Sequence, residues 1–439
     1  MADILKDTLS SVNDVQILKL QIQNHAGVKV DCTEMWIDIE IYESIHNNVL
    51  TGSVTIHDTV NLIRNTPIIG KEKVYITFKT PSVDSTVKRF SVYDMSVKER
   101  IPGKQDAIFT LQFASTQYEL DYNRRISKSF TNTKLSTVAK KVFDNFLVDK
   151  DDDGSVPQSS FKVTEDTGRP TNIVIPNWTP FQTLNWLAEK CDYYENYDYM
   201  FFETLDNFYF TPLSLLKTKP AVATYKYTSE AIKEDSLRNV NEEMKKIVTY
   251  SEVQNGCKKA EMEMEGTFTS LGVTYDMTYK KINYNLFSYI QDFQNSNTGR
   301  LSTQPMVPLT TVQKIAPQVK MIYRQKNSYN HNDIETQYNV LSCQKRFSHL
   351  LRNNAKVLKL EIAGDSRRRV GQVINVNIIS AEFLRTKDDS SILDGHLSGR
   401  YLITAVGHHI GKNDGYHMGL EVVRDSFEEA YPDTVNVGN

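Results

Sequence analysis

The sequence predicts a β-rich α+β protein: two similar antiparallel β-barrel modules, one toward each end, with a helix-containing middle domain and an insertion between them. Three observations lead there. Apolar and polar residues alternate with period two through the first part of the chain and again through the last, the apolar spacing switches to a helical period between them, and one hairpin pattern occurs at both ends. The chain has 439 residues, enough for about three domains at roughly 150 residues each.

A polar lead, 1–14, precedes the first module, 15–117. Alternation at 18–23, 36–42, 53–56, 74–78, 90–93 and 108–113, with turn-formers such as Asn47-Asn48 and Pro102-Gly103 between, reads as six or more half-buried strands. The middle domain, 118–244, opens on Leu135, Val138, Ala139, Val142, Phe143, Phe146 and Leu147, which put one apolar stripe on a helix. A second helix begins at Thr179-Pro180-Phe181-Gln182, where Thr179 suits the cap, Pro180 the first turn and Gln182 the capping box. Two aromatic runs, 199–202 and 208–210, form a hairpin around a five-residue loop. The stretch 245–332 is polar and turn-rich and reads as an insertion. A helix over about 333–352 then leads into the second module, so that 333–428 is one unit, followed by a tail, 429–439. Strands at 357–362 and 373–378 precede a hairpin whose arms, 401–406 and 418–423, meet through Gly411-Lys412-Asn413-Asp414-Gly415.

The two hairpins resemble each other, with spacings that agree to within two residues. Phe90 and Val92 match Tyr401 and Ile403 on the first arm, and Leu111 and Phe113 match Leu420 and Val422 on the second. Two amphipathic hairpins can share such alternation by chance; the alternative is a duplicated β-module, whose core these eight residues would form.

Charge and cysteine usage exclude several classes. Lys+Arg of 51 against Asp+Glu of 54 give a net charge of −3, so no global basic field invites nucleic acid or anionic lipid, and no sequence-specific nucleic-acid binding is expected. The amino terminus carries acids where a signal peptide has positive charge, and no run is apolar enough to span a membrane, so synthesis in the cytosol is expected. Cys32, Cys191, Cys257 and Cys343 form no Cys-x-x-Cys pair and read as buried free thiols.

Candidate ligand sites are few. Asp149, Asp151 and Asp153, followed by Gly154, match the opening of a calcium loop, but the twelfth position is Ser160 and Pro157 interrupts the exit helix, so a solvated acidic loop is the better reading. His408, His409 and His417 crowd the last hairpin. Neighbours on a strand point to opposite faces, so they cannot all share one metal and read as rim residues. Arg367-Arg368-Arg369 reads as a solvated turn between strands. No cofactor is expected, and no Gly-x-Ser-x-Gly, His-Glu-x-x-His, Walker or Gly-x-Gly-x-x-Gly pattern is present, so no catalytic residue is assigned.

Four segments carry a resemblance: Tyr42-Glu43-Ser44-Ile45 through Gly52-Ser53-Val54-Thr55 to Ile69-Gly70-Lys71-Glu72-Lys73-Val74; Pro176-Asn177-Trp178-Thr179-Pro180-Phe181 with Phe201-Phe202-Glu203; Leu360-Glu361-Ile362-Ala363-Gly364-Asp365 with Val370-Gly371-Gln372-Val373; and the final hairpin. In these the chain is similar to the central baseplate hub proteins of contractile-tailed, T-even-like phages, related to the amino-terminal hub part of type VI secretion spikes. The resemblance implies a structural virion protein of the tail baseplate. It would be a homotrimer that adapts a six-fold tail tube to a three-fold central spike, with tube protein, a separate spike protein and other baseplate subunits as partners. The rival from another class is a baseplate-carried glycan-binding or glycan-hydrolysing protein, because a carboxylate pair on a β-scaffold leaves no motif in one sequence.

Overall fold

The computed structural model describes residues 12–60, 62, 68–80, 86–100, 107–149, 159–164, 170–194, 196–227, 243–255, 259–276, 280–295, 299–305, 307, 312–313, 315–322, 340–380 and 393–428. The amino-terminal part contributes the strands β1 (Gln16–Gln23), β2 (Lys29–Asp31), β3 (Trp36–Ser44), β4 (Thr51–Asp58), β5 (Lys73–Lys79), β6 (Thr86–Arg100) and β7 (Ala107–Ser115). Alternation puts Leu20, Ile22, Ile39, Ile41, Val54, Ile56, Val74, Ile76, Phe90, Val92, Leu111 and Phe113 on one buried face.

The middle region follows as α1 (Thr116–Asn123), β8 (Ile126–Thr133), α2 (Leu135–Phe146), β9 (Ser160–Val163), β10 (Thr171–Trp178), α3 (Pro180–Lys190), β11 (Tyr199–Glu203), β12 (Asn207–Pro212) and α4 (Leu213–Thr218). The stripe on α2 is buried as its spacing demands, with Val138 and Ala139 fully enclosed, and α3 starts on the capping box, Thr179 and Gln182 bonding each other's backbone amides. Hairpin β11/β12 joins two cores. Tyr199, Phe201, Phe208 and Phe210 pack with α2 and α3, while Phe202 and Leu205 at its tip enter the core of the large sheet.

After β13 (Thr224–Tyr227) and β14 (Ile247–Asn255) come α5 (Lys259–Met264), β15 (Thr269–Asp276), β16 (Lys281–Ser288), α6 (Tyr289–Asn295), β17 (Gln304–Pro305), β18 (Gln318–Ile322) and α7 (Val340–Asn353). The expected start of the last helix at 333 falls outside the described residues. The chain closes with β19 (Lys356–Ala363), β20 (Val373–Ile378), β21 (Gly399–Gly411), β22 (Gly415–Arg424) and β23 (Ser426–Phe427).

The β-rich α+β class holds, but the two modules are not separate closed barrels among the described residues. Their strands form one 13-stranded sheet in the order β14-β19-β22-β21-β3-β4-β7-β6-β5-β1-β2, with β20 on β21 and β13 on β20. The reason is β21. Its first residues pair with β20, Val373 opposite Leu402, and its later ones leave that neighbour and pair with β3, from Ala405 opposite Ser44 to Gly411 opposite Asp38. Strand β14 joins the carboxy-terminal sheet through β19 although it lies within 245–332, the stretch expected to be an insertion; extra residues between Ile247 and Thr249 and between Glu252 and Gln254 break the alternation that would have marked it as a strand.

Candidate functional site

The site is the seam where β21 meets β3 and the middle hairpin caps the junction. Two blocks of five strands flank it: β3-β4-β7-β6-β5 and β14-β19-β22-β21-β20. Their hydrogen-bond registers coincide. In the first hairpin Ser91 pairs with Ala114, Val92 with Phe113, an extra residue follows at Tyr93, and Asp94 then faces Gln112 and Met95 faces Leu111. In the second, Leu402 pairs with Val423, Ile403 with Val422, an extra residue follows at Thr404, and Ala405 then faces Glu421 and Val406 faces Leu420.

The agreement continues outward. Lys73 faces Ser91 as Val373 faces Leu402. Lys71 donates its amide to Val92 O and Val92 its own to Glu72 O, at 2.9 and 2.8 Å; Gly371 and Ile403 repeat this with Gln372 O, at 2.9 Å each. Both turns need a left-handed residue, Lys71 at φ 70° and Gly371 at φ 80°. Glu72 accepts the amide of Ile69, and Gln372 that of Arg369. On the far side, β3 carries an extra residue between Trp36 and Asp38, where β14 carries one between Ile247 and Thr249. A bulge bends and twists its strand locally, so these matched bulges bend the two blocks alike at those positions, whereas the extra residues between Val97 and Glu99 on β6 and between Glu252 and Gln254 on β14 have no counterpart. All eight hairpin residues singled out in the sequence are buried.

At the seam, Glu43 of β3 is 1% exposed. Its Oε1 accepts the amide of Leu205 at 3.1 Å and lies 3.4 Å from His408 Nε2, and its Oε2 accepts the amide of Val370 at 3.2 Å. His408 Nδ1 is 2.7 Å from the Tyr416 hydroxyl, and burial pushes that phenol well above its usual pKa. Nearby Glu203, at the end of β11, accepts the amide of Leu50 at 2.9 Å and the Ser115 hydroxyl at 2.5 Å, with Lys88 Nζ at 3.5 Å. Burial raises its carboxyl above the ordinary range in spite of Lys88.

Three expectations change here. Arg368 and Arg369 are buried rather than solvated, because Asp365 accepts from Arg368 Nε at 3.2 Å and Asp206 accepts from Arg369 at 2.9 and 3.0 Å. His408 is a core residue, not a rim one. Its neighbour His409 faces the other side as alternation requires, with Nδ1 3.6 Å from Asp38 and 3.5 Å from Glu40. Directly opposite His409 stands His417, whose Nε2 is 2.6 Å from Asp414 O. Of the cysteines, Cys32 and Cys191 are buried, Cys343 is half-buried and Cys257 lies outside the described residues.

Asp149 does not stand free for calcium: it accepts from Arg89 at 2.7 Å, and Asp151 and Asp153 lie outside the described residues. A polar recess between α4 and α7 holds Asp198, Lys217, His349, Arg352, Asn353 and Asp425. Its groups are matched: Lys217 with Asp425 at 2.6 Å, His349 and Arg352 with Asp292 at 2.9 and 3.2 Å, and Asp198 with Ser214. Such matching holds elements together.

These ion pairs set an acid limit. Burial alone would raise Asp365 and Asp425, but Arg367 and Arg368 beside the first, and Lys217 beside the second, outweigh it and hold both below the usual 3.8. Between that value and their lower folded values the unfolded chain binds protons the folded one does not, so stability falls as pH drops through this window. Asp365→Asn is expected to flatten part of the loss in urea titrations below pH 4; an unchanged slope would show that Asp365 does not contribute. Glu203 runs the other way, its contribution declining as pH rises through its raised pKa.

No protein-family model matches the chain, and no curated protein matches it at a significant level. Solved structures do. A tail protein from Neisseria meningitidis MC58 superposes with a TM-score of 0.55 at 11% identity, covering 94% of this chain and 97% of that one. A 43 kDa tail protein of prophage MuSo2 from Shewanella oneidensis gives 0.53 at 11% identity over 93% and 99%. An E. coli component of the type VI secretion system gives 0.44 at 8% identity over 95% and 79%. The chain therefore has a phage tail-protein fold, and it has that fold over nearly its whole length. The Neisseria and MuSo2 tail proteins are likewise covered almost end to end by this chain.

Proposed function

We propose that this protein is a structural, non-enzymatic component of a tail baseplate: a hub in which three copies form a ring that adapts a six-fold tail tube to a three-fold spike. One observation carries the reading. Two blocks of five strands share register, two pairs of matched bulges and turn contacts, and they meet head to tail within one chain, which is what a ring needs if it is to offer two similar faces per subunit. The eight matched hairpin residues are then the repeated core of two β modules, and the insertion is an elaboration on the second. Partners are two further copies of the chain, tube protein, a separate spike protein and other baseplate subunits, and the place of action is the virion tail. The fold shared with two tail proteins supports this reading.

Mass photometry of the purified protein should give three times the 50.3 kDa chain mass, and class averages viewed down the ring axis should show six similar lobes. A persistent monomer would sink the hub reading. Hydrolysis of peptidoglycan or capsule, abolished by changing one carboxylate, would establish the glycan-active rival instead.

A further inference from the structure

The ring reading leaves open which surfaces join one copy to the next. We propose that the second half of β6, 94–100, pairs antiparallel with β14 of another copy, in the register β21 and β3 already use within the chain, which sets Val97 opposite Glu252. The proposal rests on the hub reading only for the number of copies; the contact itself is read from the repeated registers.

Strand β21 is the template. It pairs with β20 up to Leu402, Ile403 closes that neighbour's turn, and from Ala405 onward the freed edge is taken by β3. Strand β6 does the same on its own side: β5 pairs with it up to Ser91, and Val92 closes the turn. From Asp94 onward β6 bonds β7 alone among the described pairings. Asp94 through Val97 correspond to Ala405 through His408 by their shared partners across the hairpin.

The acceptor edge is β14. It occupies the place of β3 in its block, pairs only with β19 among the named strands, and ends the sheet. Lys226 makes one bridge with Lys246, ahead of the strand. Ile39 corresponds to Tyr250, Glu40 to Ser251 and Ile41 to Glu252 through their common partners on β4 and β19. Since His408 faces Ile41 in the chain, Val97 faces Glu252 between chains; past the extra residue at Val253, Ser96 faces Gln254.

Among the described residues no strand covers either edge. Val248 and Val253 are each 54% exposed, and Tyr93 is 52% exposed. A nine-residue edge strand bearing two exposed valines, with one edge not paired in a ladder among the described residues, invites pairing, and proteins normally cover such an edge. A second copy covers it, because the in-chain contact is heterologous and its repetition returns each β6 edge to the next β14 until the ring closes.

The test uses the full chain. Ser96→Cys with Gln254→Cys, mildly oxidised and run without reductant, should give linked dimers and trimers, whereas Ser96→Cys with Thr249→Cys, four or more residues out of register, should stay largely unlinked, with the unsubstituted chain as background for the native thiols. In parallel, Val248→Lys with Val253→Lys should abolish the trimer while leaving the melting transition of the chain in place. Trimers that link equally through Thr249, or that survive the lysine pair, would overturn this contact and spare the hub reading. Linking by Ser96→Cys alone into dimers would overturn it too, since it reports a two-fold contact. A native mass of one chain would overturn both.

Discussion

Glu43→Ala is expected to lower the unfolding free energy of the large sheet by about 3–5 kcal/mol. Three buried groups depend on this carboxylate: the amide of Leu205 on the middle hairpin, the amide of Val370 ahead of β20, and the His408 ring on β21. Alanine leaves two backbone N–H donors without an acceptor in an interior that water does not reach, and each such orphan costs about 1–3 kcal/mol. It also disconnects three elements that arrive from separate parts of the chain, so the loss falls on the cooperativity of the seam as well as on local packing. Glu43→Gln has one carbonyl oxygen for two amide donors and should cost about half as much. Urea unfolding followed by tryptophan fluorescence distinguishes them. An alanine variant as stable as the parent would mean that the junction is not held by Glu43.

How much of this was legible beforehand depends on whether the signal was local. Alternation placed β3, β4, β7, β21 and β22 because each buries one face, and the capping box placed α3 because Thr179, Pro180 and Gln182 act within one turn. The match of Val92 to Ile403 and of Leu111 to Leu420 was readable as a pattern. The shared bulges at Tyr93 and Thr404 were not, since an extra residue shows only once the partner strand is known. Long-range partners account for the misreadings. Arg369 looks solvated until Asp206, 163 positions away in sequence, is brought to it. His408 looks like a rim residue until Glu43, 365 positions away, meets it across the seam. The site is the meeting of segments distant in sequence, and periodicity carries no information about such meetings.

Gly364→Ala is expected to cost about 3 kcal/mol, at the upper end for overpacking a core by one carbon. A Cβ on Gly364 would overlap the Cγ and Cδ1 atoms of the Tyr416 ring, well inside contact distance. Neither side can yield. The Tyr416 ring is tethered by its hydroxyl to His408 and packed edge-on by Phe78, with centroids 6.2 Å apart. Its backbone is held at both ends, its carbonyl accepting the Gly364 amide at 2.9 Å and its amide bonding Asn13 O at 3.0 Å. Gly419→Ala is the matched control on the same hairpin. A Cβ there meets nothing within 4 Å, so it should be neutral or slightly stabilising, because alanine has less freedom to lose on folding. If the overlap with the ring is the cause, adding Gly364→Ala to a Tyr416→Ala chain should cost little, giving a coupling energy close to the whole single-variant loss. A full penalty in that background would place the strain in the backbone around Gly364 and remove the Tyr416 to His408 to Glu43 chain as the reason the seam tolerates only glycine.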